Sequence, residues 1–446
     1  MKRQPTQGIL RFETLESRQV LAGDVDAFGI GNVLHIRGDS ADNGVVMTST
    51  SEGVWEVTGL DRGGEATTIN GQESQTFVRV KEIVIDLNNG NDALVLTGMP
   101  VTGSVSVQMG NGNDVVALGE FDNDDDLVDD AVDELIGALT IDTNLTVDTG
   151  DGDDIVVGRN VSARLMAIVA RDGNDTITLE KRGEAGNPGY LPGVTVSASL
   201  TVNAGDGTNT ISIKGVTAQN LTVTGGSGVD VITLEKVTVS KVTTVDGNHG
   251  ANEVELDEVS SKSLSILLGV GNDQLSLDEI TVGGRVSITD DFGNDTYTLN
   301  EIDAKSLGIS AGVGIDDLTL THITLTKSLD VDSGEGNDTV TLEAIIAKSL
   351  HVTLGLGDDE LLLDNVAIVK SITINGGLGN DTIEIDGVSA QTLTAMLGDG
   401  DDEISLEFAI IGKKAKIDGG RANNSYTDLG SNTIALLNRK NFQTIV

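Results

Sequence analysis

Apolar and polar residues alternate in short runs along most of this chain. The block after Asp381 has three such runs, whose apolar positions are Ile383 and Ile385, Val388 and Ala390, and Leu393 and Ala395. Alternation with a period of two turns one face of a β-strand inward. Each block therefore predicts three short strands, and one block alone cannot bury their inner faces.

A tight turn recurs between the blocks, with the pattern Gly-x-Gly-x-Asp or a close variant. Its last residue forms the series Asp92, Asp114, Asp154, Asp175, Asn209, Asp230, Asn252, Asp273, Asp295, Asp316, Asp338, Asp359, Asp381, Asp402 and Asn424. From Asn209 to Asn424 the spacings alternate between 21 and 22 residues. A fixed period of this length is typical of stacked repeats.

The period predicts an all-β fold, a single-stranded parallel β-helix, or solenoid, of about fifteen coils of 21 or 22 residues. Stacking the coils buries one continuous core. Neighbouring coils lie ~4.8 Å apart, so the stack would be roughly 70 Å long. Parallel strands joined by crossovers favour the right hand, so we expect a right-handed helix with three faces.

The alternation of 21 and 22 residues has a counterpart in side-chain size before the third strand. Shorter coils have a small residue there, namely Ala218, Ser261, Ala304, Ala347 and Ala390. Longer coils have a bulky residue and one extra position, at Val239, Val282, Leu325, Ile368 and Ile411. We expect a bulky inner corner to take the longer path.

The ends of the chain depart from the period, which divides it into four parts. Residues 1–24 form a targeting-like segment, 25–80 an N-terminal β cap of antiparallel segments, 81–430 the β-helix, and 431–446 a C-terminal cap. Caps are expected because the open end of a solenoid is an unpaired sheet edge.

The composition of the chain excludes several kinds of partner and site. The chain has 70 acidic and 28 basic residues and a net charge of −42, a field that repels nucleic acid. It has no cysteine, which excludes disulfides and thiolate metal sites. No apolar run is long enough for a membrane span.

The turn motif resembles the RTX, or haemolysin-type, calcium-binding repeat. The run from Gly376 to Ile383 fits its Gly-Gly-x-Gly-x-Asp-x-apolar pattern. The resemblance implies calcium bound by carbonyl and carboxylate oxygens of adjacent turns, with the twelve aspartates of the series as ligands. Here the motif comes once per coil, whereas RTX motifs repeat every nine residues. Asn209, Asn252 and Asn424 would weaken their sites.

A metal-free interpretation is also open, since Asp and Asn favour tight turns through their own backbone contacts. Stacked aspartates would repel each other, however. Two unit charges ~5 Å apart cost on the order of 0.8 kcal/mol even at a water-like dielectric. Either solvent or cations must therefore offset the repulsion.

The N-terminal segment carries a second resemblance. Leu15-Glu16-Ser17-Arg18 followed by Val20-Leu21-Ala22 resembles the LEPR-XLL segment of large repetitive proteins of planctomycete bacteria, with Ser17 in the usual place of proline. This resemblance implies an exported or cell-surface protein. An untargeted flexible tail is the alternative.

Other constellations are weak. The run from Asp122 to Asp126 begins like an EF-hand loop, but Leu127 stands where glycine is needed. Threonines at 178, 298, 319 and 341 hint at an ice-binding array that glutamates and Leu362 interrupt. The four histidines, His35, His249, His322 and His351, are scattered.

The sequence thus favours a non-enzymatic, secreted or cell-surface structural or adhesive protein that binds calcium. The alternative is a polysaccharide-acting β-helix enzyme, a lyase or hydrolase. Its bases would come from the cluster Arg159, Arg164, Arg171, Lys181 and Arg182.

Two irregular spacings, of 40 and 34 residues, mark loop insertions near 120–138 and 181–193. Both follow the first strand of their coil, at the same corner. Insertions that share one face of a solenoid often form its binding surface. We expect a cell-surface or matrix glycan or a protein partner there, unless both loops are tolerated excursions.

Overall fold

The computed structural model describes residues 23–60, 66–98, 100–121, 137–183 and 192–445. This part of the chain is all-β and contains no helix. Its strands stack coil on coil in two parallel sheets, as the period predicts. The solenoid of about fifteen turns is therefore confirmed, while its hand stays a prediction.

The short-strand sheet takes the strand that directly follows each turn motif, together with strands from both ends of the chain that follow no motif. Its members are Gly44–Ser51, Val54–Gly59, Ser74–Val78, Ala93–Gly98, Val115–Gly119, Ile155–Arg159, Thr176–Glu180, Thr210–Lys214, Val231–Glu235, Glu253–Asp257, Gln274–Asp278, Thr296–Asn300, Asp317–Thr321, Thr339–Glu343, Glu360–Asp364, Thr382–Asp386, Glu403–Glu407, Ser425–Gly430 and Thr444–Ile445.

The long-strand sheet takes the rest of each coil, up to the next turn motif. Its members are Asp24–Ile30, Val33–Arg37, Thr68–Ile69, Glu82–Asp86, Val105–Asn111, Leu139–Asp151, Val161–Val169, Thr195–Asn203, Thr217–Ser227, Thr238–His249, Ser260–Ser261, Ser263–Leu267, Ile280–Thr289, Ile302–Ser310, Thr324–Leu325, Ser328–Glu335, Ile346–Leu356, Ala367–Leu378, Ser389–Asp399, Ile410–Asp418, Thr433–Ile434 and Leu437–Lys440.

The expectation of three separate strands in each coil needs correction. The second and third apolar runs belong to one strand in most coils, as in Ser389–Asp399, which contains Ala390, Leu393 and Ala395. The pairing register of this strand shifts between Ala390 and Thr392. A bulge thus lets the chain turn the corner without leaving the sheet, so two hydrogen-bonded sheets enclose the core.

The side-chain alternation at this corner is confirmed. Ala218 pairs with Val239, and the next pair is Asn220 with Val242, so the extra residue of the longer coil falls here. Small and bulky corner residues alike are buried. The rest of the inward apolar positions form one core cluster from Val25 to Tyr426.

The two ends differ in construction. At the N-terminal end Asp24–Ile30 pairs antiparallel with Val33–Arg37, and Gly44–Ser51 pairs antiparallel with Val54–Gly59. These hairpins then join the first coil through parallel pairs. At the other end the tail keeps the parallel pairing, since Leu437–Lys440 adds to the long-strand sheet.

Several sequence-based expectations fall outside the described residues. They are the segment 1–22, the EF-hand-like run at 122–126, and the greater part of both insertions, residues 122–136 and 184–191.

Stacking explains the glycines of the turn motif. Gly357 has φ of +135°, and a Cβ added there would lie 1.7 Å from the carbonyl oxygen of Gly336 in the preceding coil. Gly355 has the same relation to Gly334, at 1.8 Å. Each motif glycine therefore lets the backbone of one coil rest on the next.

We expect Gly357→Ala to lower the free energy of unfolding by about 3 kcal/mol or more, because the clash with backbone cannot relax. Gly430→Ala is the matched control, since its φ is +92° but no atom lies within 4 Å of its Cβ position. That variant should lose only about 1 kcal/mol. Equal losses in urea denaturation would mean that backbone conformation alone, and not coil contact, requires the glycine.

Candidate metal site

The last residues of the turn motifs form a buried ladder, here called the inner ladder. All fifteen members of the series from Asp92 to Asn424 are buried. In each coil the backbone N–H of this residue donates to Oδ1 of the equivalent residue in the next coil. The N···O distances lie between 2.6 Å, as from Asp92 to Asp114, and 3.1 Å, as from Asp381 to Asp402.

The ladder extends beyond the motif at both ends. The Asn43 N–H donates to Asp92 Oδ1 at 2.6 Å, and the Asn424 N–H donates to Gln443 Oε1 at 2.7 Å. Sequence reasoning missed both residues because neither follows a Gly-x-Gly turn. The period does not locate Gln443, which lies 19 residues after Asn424 and not 21 or 22.

The second carboxyl oxygen, Oδ2, points into the protein. Among the described residues it is buried and has no hydrogen-bond partner at Asp175, Asp316, Asp359, Asp381 and Asp402. It is also buried at Asp154, Asp230, Asp273, Asp295 and Asp338, where burial raises the carboxyl pKa and hydrogen bonding to the neighbouring side chain of Thr149, Asn209, Asn252, Asp290 or Ser333, respectively, partly lowers it. An ionised carboxylate in this position would leave a buried charge uncompensated, which is costly. Each Oδ2 therefore requires a proton or a cation.

Burial raises the pKa of these carboxyl groups well above the ordinary value. The pKa of Asp154, Asp316 and Asp381 rises to about 7, mainly because burial removes the carboxylate from water. The pKa of Asp175, Asp273 and Asp338 rises to about 6 for the same reason. Backbone hydrogen bonds to Oδ1 partly oppose the rise in pKa.

The asparagines of the inner ladder show which kind of group fits in the place of Oδ2. Asn209 continues the ladder through Oδ1 and donates from Nδ2 to the carbonyl oxygen of Gly205 at 3.1 Å. Asn43 likewise donates from Nδ2 to Ala41 O at 2.7 Å. A protonated aspartic acid has the same shape and the same donor. Asn252 continues the ladder through Oδ1, but among the described residues its buried Nδ2 donates to no carbonyl oxygen. The ladder position thus suits a neutral side chain, which at Asn209 and Asn43 also donates to a carbonyl oxygen.

One coil adds a further carboxyl group. Asp273, Asp290 and Asp295 are all buried and bring one carboxylate oxygen each to within 4.8 Å of the others. Tyr297 OH donates to Asp290 Oδ2 at 2.7 Å. Burial raises the pKa of Asp290, and Tyr297 partly lowers it. Among the described residues this is the one group of three acidic side chains close enough to share an ion.

An outer ladder runs beside the inner one in the opposite sense. The residue before each motif Asp or Asn donates its N–H to the side chain of its equivalent in the preceding coil, as Asn380 does to Asp358 at 2.7 Å. Val229, Ala251 and Ile315 have no side-chain acceptor, so the outer ladder is interrupted after each of them. These side chains are exposed.

The fit to calcium can be judged from these contacts. The motif glycines are accounted for by stacking and Oδ1 by the ladder, which leaves one oxygen per aspartate for a cation. Calcium takes six to eight oxygens. Among the described residues, the group Asp273, Asp290 and Asp295 brings the most carboxylate oxygens together and therefore fits calcium best. A single proton is enough to neutralise each of the other Oδ2 atoms.

The basic cluster proposed for catalysis is largely paired. Arg159 is buried, bridges Glu180 at 2.7 Å and lies over the Phe121 ring, and Arg182 lies 3.6 Å from the same carboxylate. Arg171 forms two hydrogen bonds to Asp148 and lines a shallow groove that also contains Asp86 and Asp151. The structure therefore does not gather the five bases into one site.

No family model matches the chain, and no curated protein matches it. In the described ranges no helix is both long and apolar enough to cross a membrane.

Proposed function

We propose that this protein is a structural and adhesive β-solenoid that works outside the cell or on its surface. The observation that carries the proposal is the inner ladder, which joins every coil from Asn43 to Gln443 without a break. Side-chain hydrogen bonds along the axis add to the backbone pairing of both sheets. Such a stack acts as a stiff rod that separates its two ends by a fixed distance.

The resemblance of residues 11–22 to the LEPR-XLL segment supports an exported location. The net charge of −42 keeps such a rod soluble and favours cations around it.

We further propose that the buried Oδ2 atoms are neutralised by protons at acidic pH and by cations, calcium foremost, at alkaline pH. Support comes from their burial, from the raised pKa values and, at Asp316 and Asp381, from the lack of a hydrogen-bond partner among the described residues. The Asp273, Asp290 and Asp295 side chains would hold calcium, which would supply the positive charge that this group lacks.

Calcium should therefore stabilise the protein most where the carboxyl groups are ionised. We expect millimolar calcium to raise the apparent melting temperature relative to chelator at about pH 8 and to have little effect at about pH 5, because protons and calcium compete for the same oxygens. Asp273→Asn should reduce the calcium effect. Asp401→Asn, at an exposed outer-ladder position, is the control and should leave it unchanged.

Identical melting in calcium and chelator at both pH values would remove calcium from the proposal but leave the rod intact. The adhesive part is tested separately, by sedimenting the protein with envelope material from its host cells. A protein that stays in the supernatant with and without calcium would contradict adhesion.

A second candidate, a polysaccharide lyase, is favoured by one observation only. Arg171 lies in a groove with Asp86, Asp148 and Asp151, where a base next to carboxylates could act on a uronic acid polymer. The test is the appearance of unsaturated sugar ends, seen by ultraviolet absorbance, on incubation with polyuronates. Product that Arg171→Ala abolishes would support the lyase, and absence of product would exclude it for those polymers.

A further inference from the structure

A row of lysines follows one corner of this acidic solenoid, at the bulge of the long-strand sheet. We name this row the lysine stripe, and its members are Lys241, Lys262, Lys305, Lys327, Lys348, Lys370 and Lys413. Successive coils place them in line, since the Lys262 N–H donates to Lys241 O and the Lys327 N–H donates to Lys305 O. The stripe thus holds seven of the 28 basic residues in the chain.

The stripe is long and narrow. From Lys241 to Lys413 there are 172 residues, or eight coils, with Gly283-Gly284 and Gln391 in the two coils without a stripe lysine. At ~4.8 Å per coil the stripe is ~38 Å long. Arg285 lies directly after the gap at Gly283-Gly284 and keeps a positive charge in that coil.

Within the part of the chain that the structure describes, these lysines form no ion pairs. All seven side chains are exposed. Lysines at or directly after the ends of strands in the short-strand sheet do pair, as Lys214 with Glu235 at 2.6 Å and Lys236 with Glu258 at 2.9 Å. Like charges one coil apart repel, on the order of 0.8 kcal/mol per pair at a water-like dielectric. The stripe therefore keeps a repulsive row of cations in a chain with an excess of acids.

A serine accompanies most of the stripe. Ser263, Ser306, Ser328, Ser349 and Ser371 each follow a stripe lysine directly and are half-buried. Four of them fall in register on neighbouring coils, because Ser328 pairs with Ser349 and Ser349 with Ser371, while Ser306 lies one coil before. Five coils thus offer one ammonium group and one hydroxyl group each, and the Ser328 hydroxyl donates to Asp330 Oδ2 at 2.9 Å.

We infer that the lysine stripe binds a linear acidic polysaccharide that lies along the solenoid axis. A straight row of single cations fits an extended polymer with a carboxylate or sulfate at regular intervals, and the serine hydroxyls match the hydroxyl groups of a sugar. A flat lipid surface or a globular partner would not use a row one residue wide. Charges more than ~8 Å from the stripe are largely screened at physiological ionic strength, whereas Asp330, to which the Ser328 hydroxyl donates at 2.9 Å, lies beside it.

The inference rests on the proposed adhesive function and names its partner class. The test uses the full chain and immobilised polygalacturonate, with dextran as the neutral control, in chelator and in millimolar calcium. We expect salt-sensitive binding to polygalacturonate and none to dextran. Lys327→Gln/Lys348→Gln should weaken it about tenfold, equal to about 1.4 kcal/mol.

The matched control is Lys214→Gln/Lys236→Gln, which makes the same charge change at lysines that are already paired. This variant should bind like the wild type. Equal weakening in both variants, or equal binding to dextran, would overturn the inference.

Two further measurements test whether a membrane surface or a second copy of this chain binds the stripe instead. Stronger binding to phosphatidylserine vesicles than to polygalacturonate would overturn the inference in favour of a membrane surface. Salt-sensitive self-association in sedimentation that Lys327→Gln/Lys348→Gln abolishes, without polymer binding, would overturn it in favour of a second copy of this chain. Binding to host envelopes that persists in Lys327→Gln/Lys348→Gln would leave adhesion standing while placing it elsewhere.

Discussion

In chelator, the apparent melting temperature of this protein should fall by on the order of 10 °C between about pH 5 and pH 8. The cause is the inner ladder. Its aspartates have an ordinary pKa of 3.8 when unfolded, whereas burial raises the folded pKa of Asp154, Asp316 and Asp381 to about 7. Folding therefore takes up protons between these values.

Proton uptake on folding makes the protein less stable as the pH rises. A carboxyl group with a raised folded pKa contributes its full stability below pH 3.8 and loses it as the pH rises through about 7. A tenfold difference in proton affinity between the folded and unfolded states corresponds to about 1.4 kcal/mol of stability. The combined loss from several aspartates should therefore exceed the effect of a single substitution. Calorimetry across the pH range measures the change.

Repulsion between surface charges, which follows from the net charge of −42, also grows with pH and also lowers the melting temperature. Its contribution therefore needs a control. Salt screens exposed charges but affects buried ones much less. The fall in melting temperature with rising pH should therefore persist in molar sodium chloride. A melting temperature that becomes independent of pH at high salt would assign the effect to the surface.

The second large effect concerns one ladder residue. We expect Asp381→Asn to raise the free energy of unfolding by about 2 kcal/mol at about pH 8, and to change it little at about pH 4. Asparagine keeps the Oδ1 acceptor for the Asp359 N–H and supplies the inward donor that Asn209 supplies in its own coil.

Asp381→Ala is the informative contrast. It removes the acceptor and leaves the Asp359 N–H unsatisfied in the interior, which costs about 1–3 kcal/mol. Asp381→Ala removes the same buried carboxyl group, so its gain at alkaline pH is offset by this cost, and it should be less stable than Asp381→Asn by about 1–3 kcal/mol at both pH values. Chemical denaturation of both variants measures this, and a loss of stability in Asp381→Asn would show that the carboxylate there is ionised and compensated.

The sequence predicted the parts of the fold that depend on periodicity. The spacing from Asn209 to Asn424 locates the coils, and Ala218 opposite Val239 locates the bulged corner. It did not predict that the second and third runs share one strand. Two separate strands and one bulged strand give the same alternation of apolar and polar residues. Only the pairing between neighbouring coils across the bulge distinguishes them.

The direction of the aspartate side chains was harder to predict. A Gly-x-Gly-x-Asp turn is compatible with a carboxylate that faces solvent and with one that faces the interior. The signal for the interior was the presence of Asn209, Asn252 and Asn424 in the same series, because a neutral amide replaces a protonated acid. The lysine stripe was also visible in the sequence, as Lys-Ser repeated at 21 or 22 residues.

The central claim, that the inner ladder is protonated in the folded protein, is tested most directly by infrared spectroscopy in chelator. Exposed aspartates and glutamates are ionised at about pH 5.5, so a band from protonated carboxyl groups at that pH reports buried ones. We expect this band to be present, to disappear on unfolding, and to weaken in Asp316→Asn/Asp381→Asn. A folded protein without the band, in which all carboxyl groups ionise near about pH 4, would contradict it.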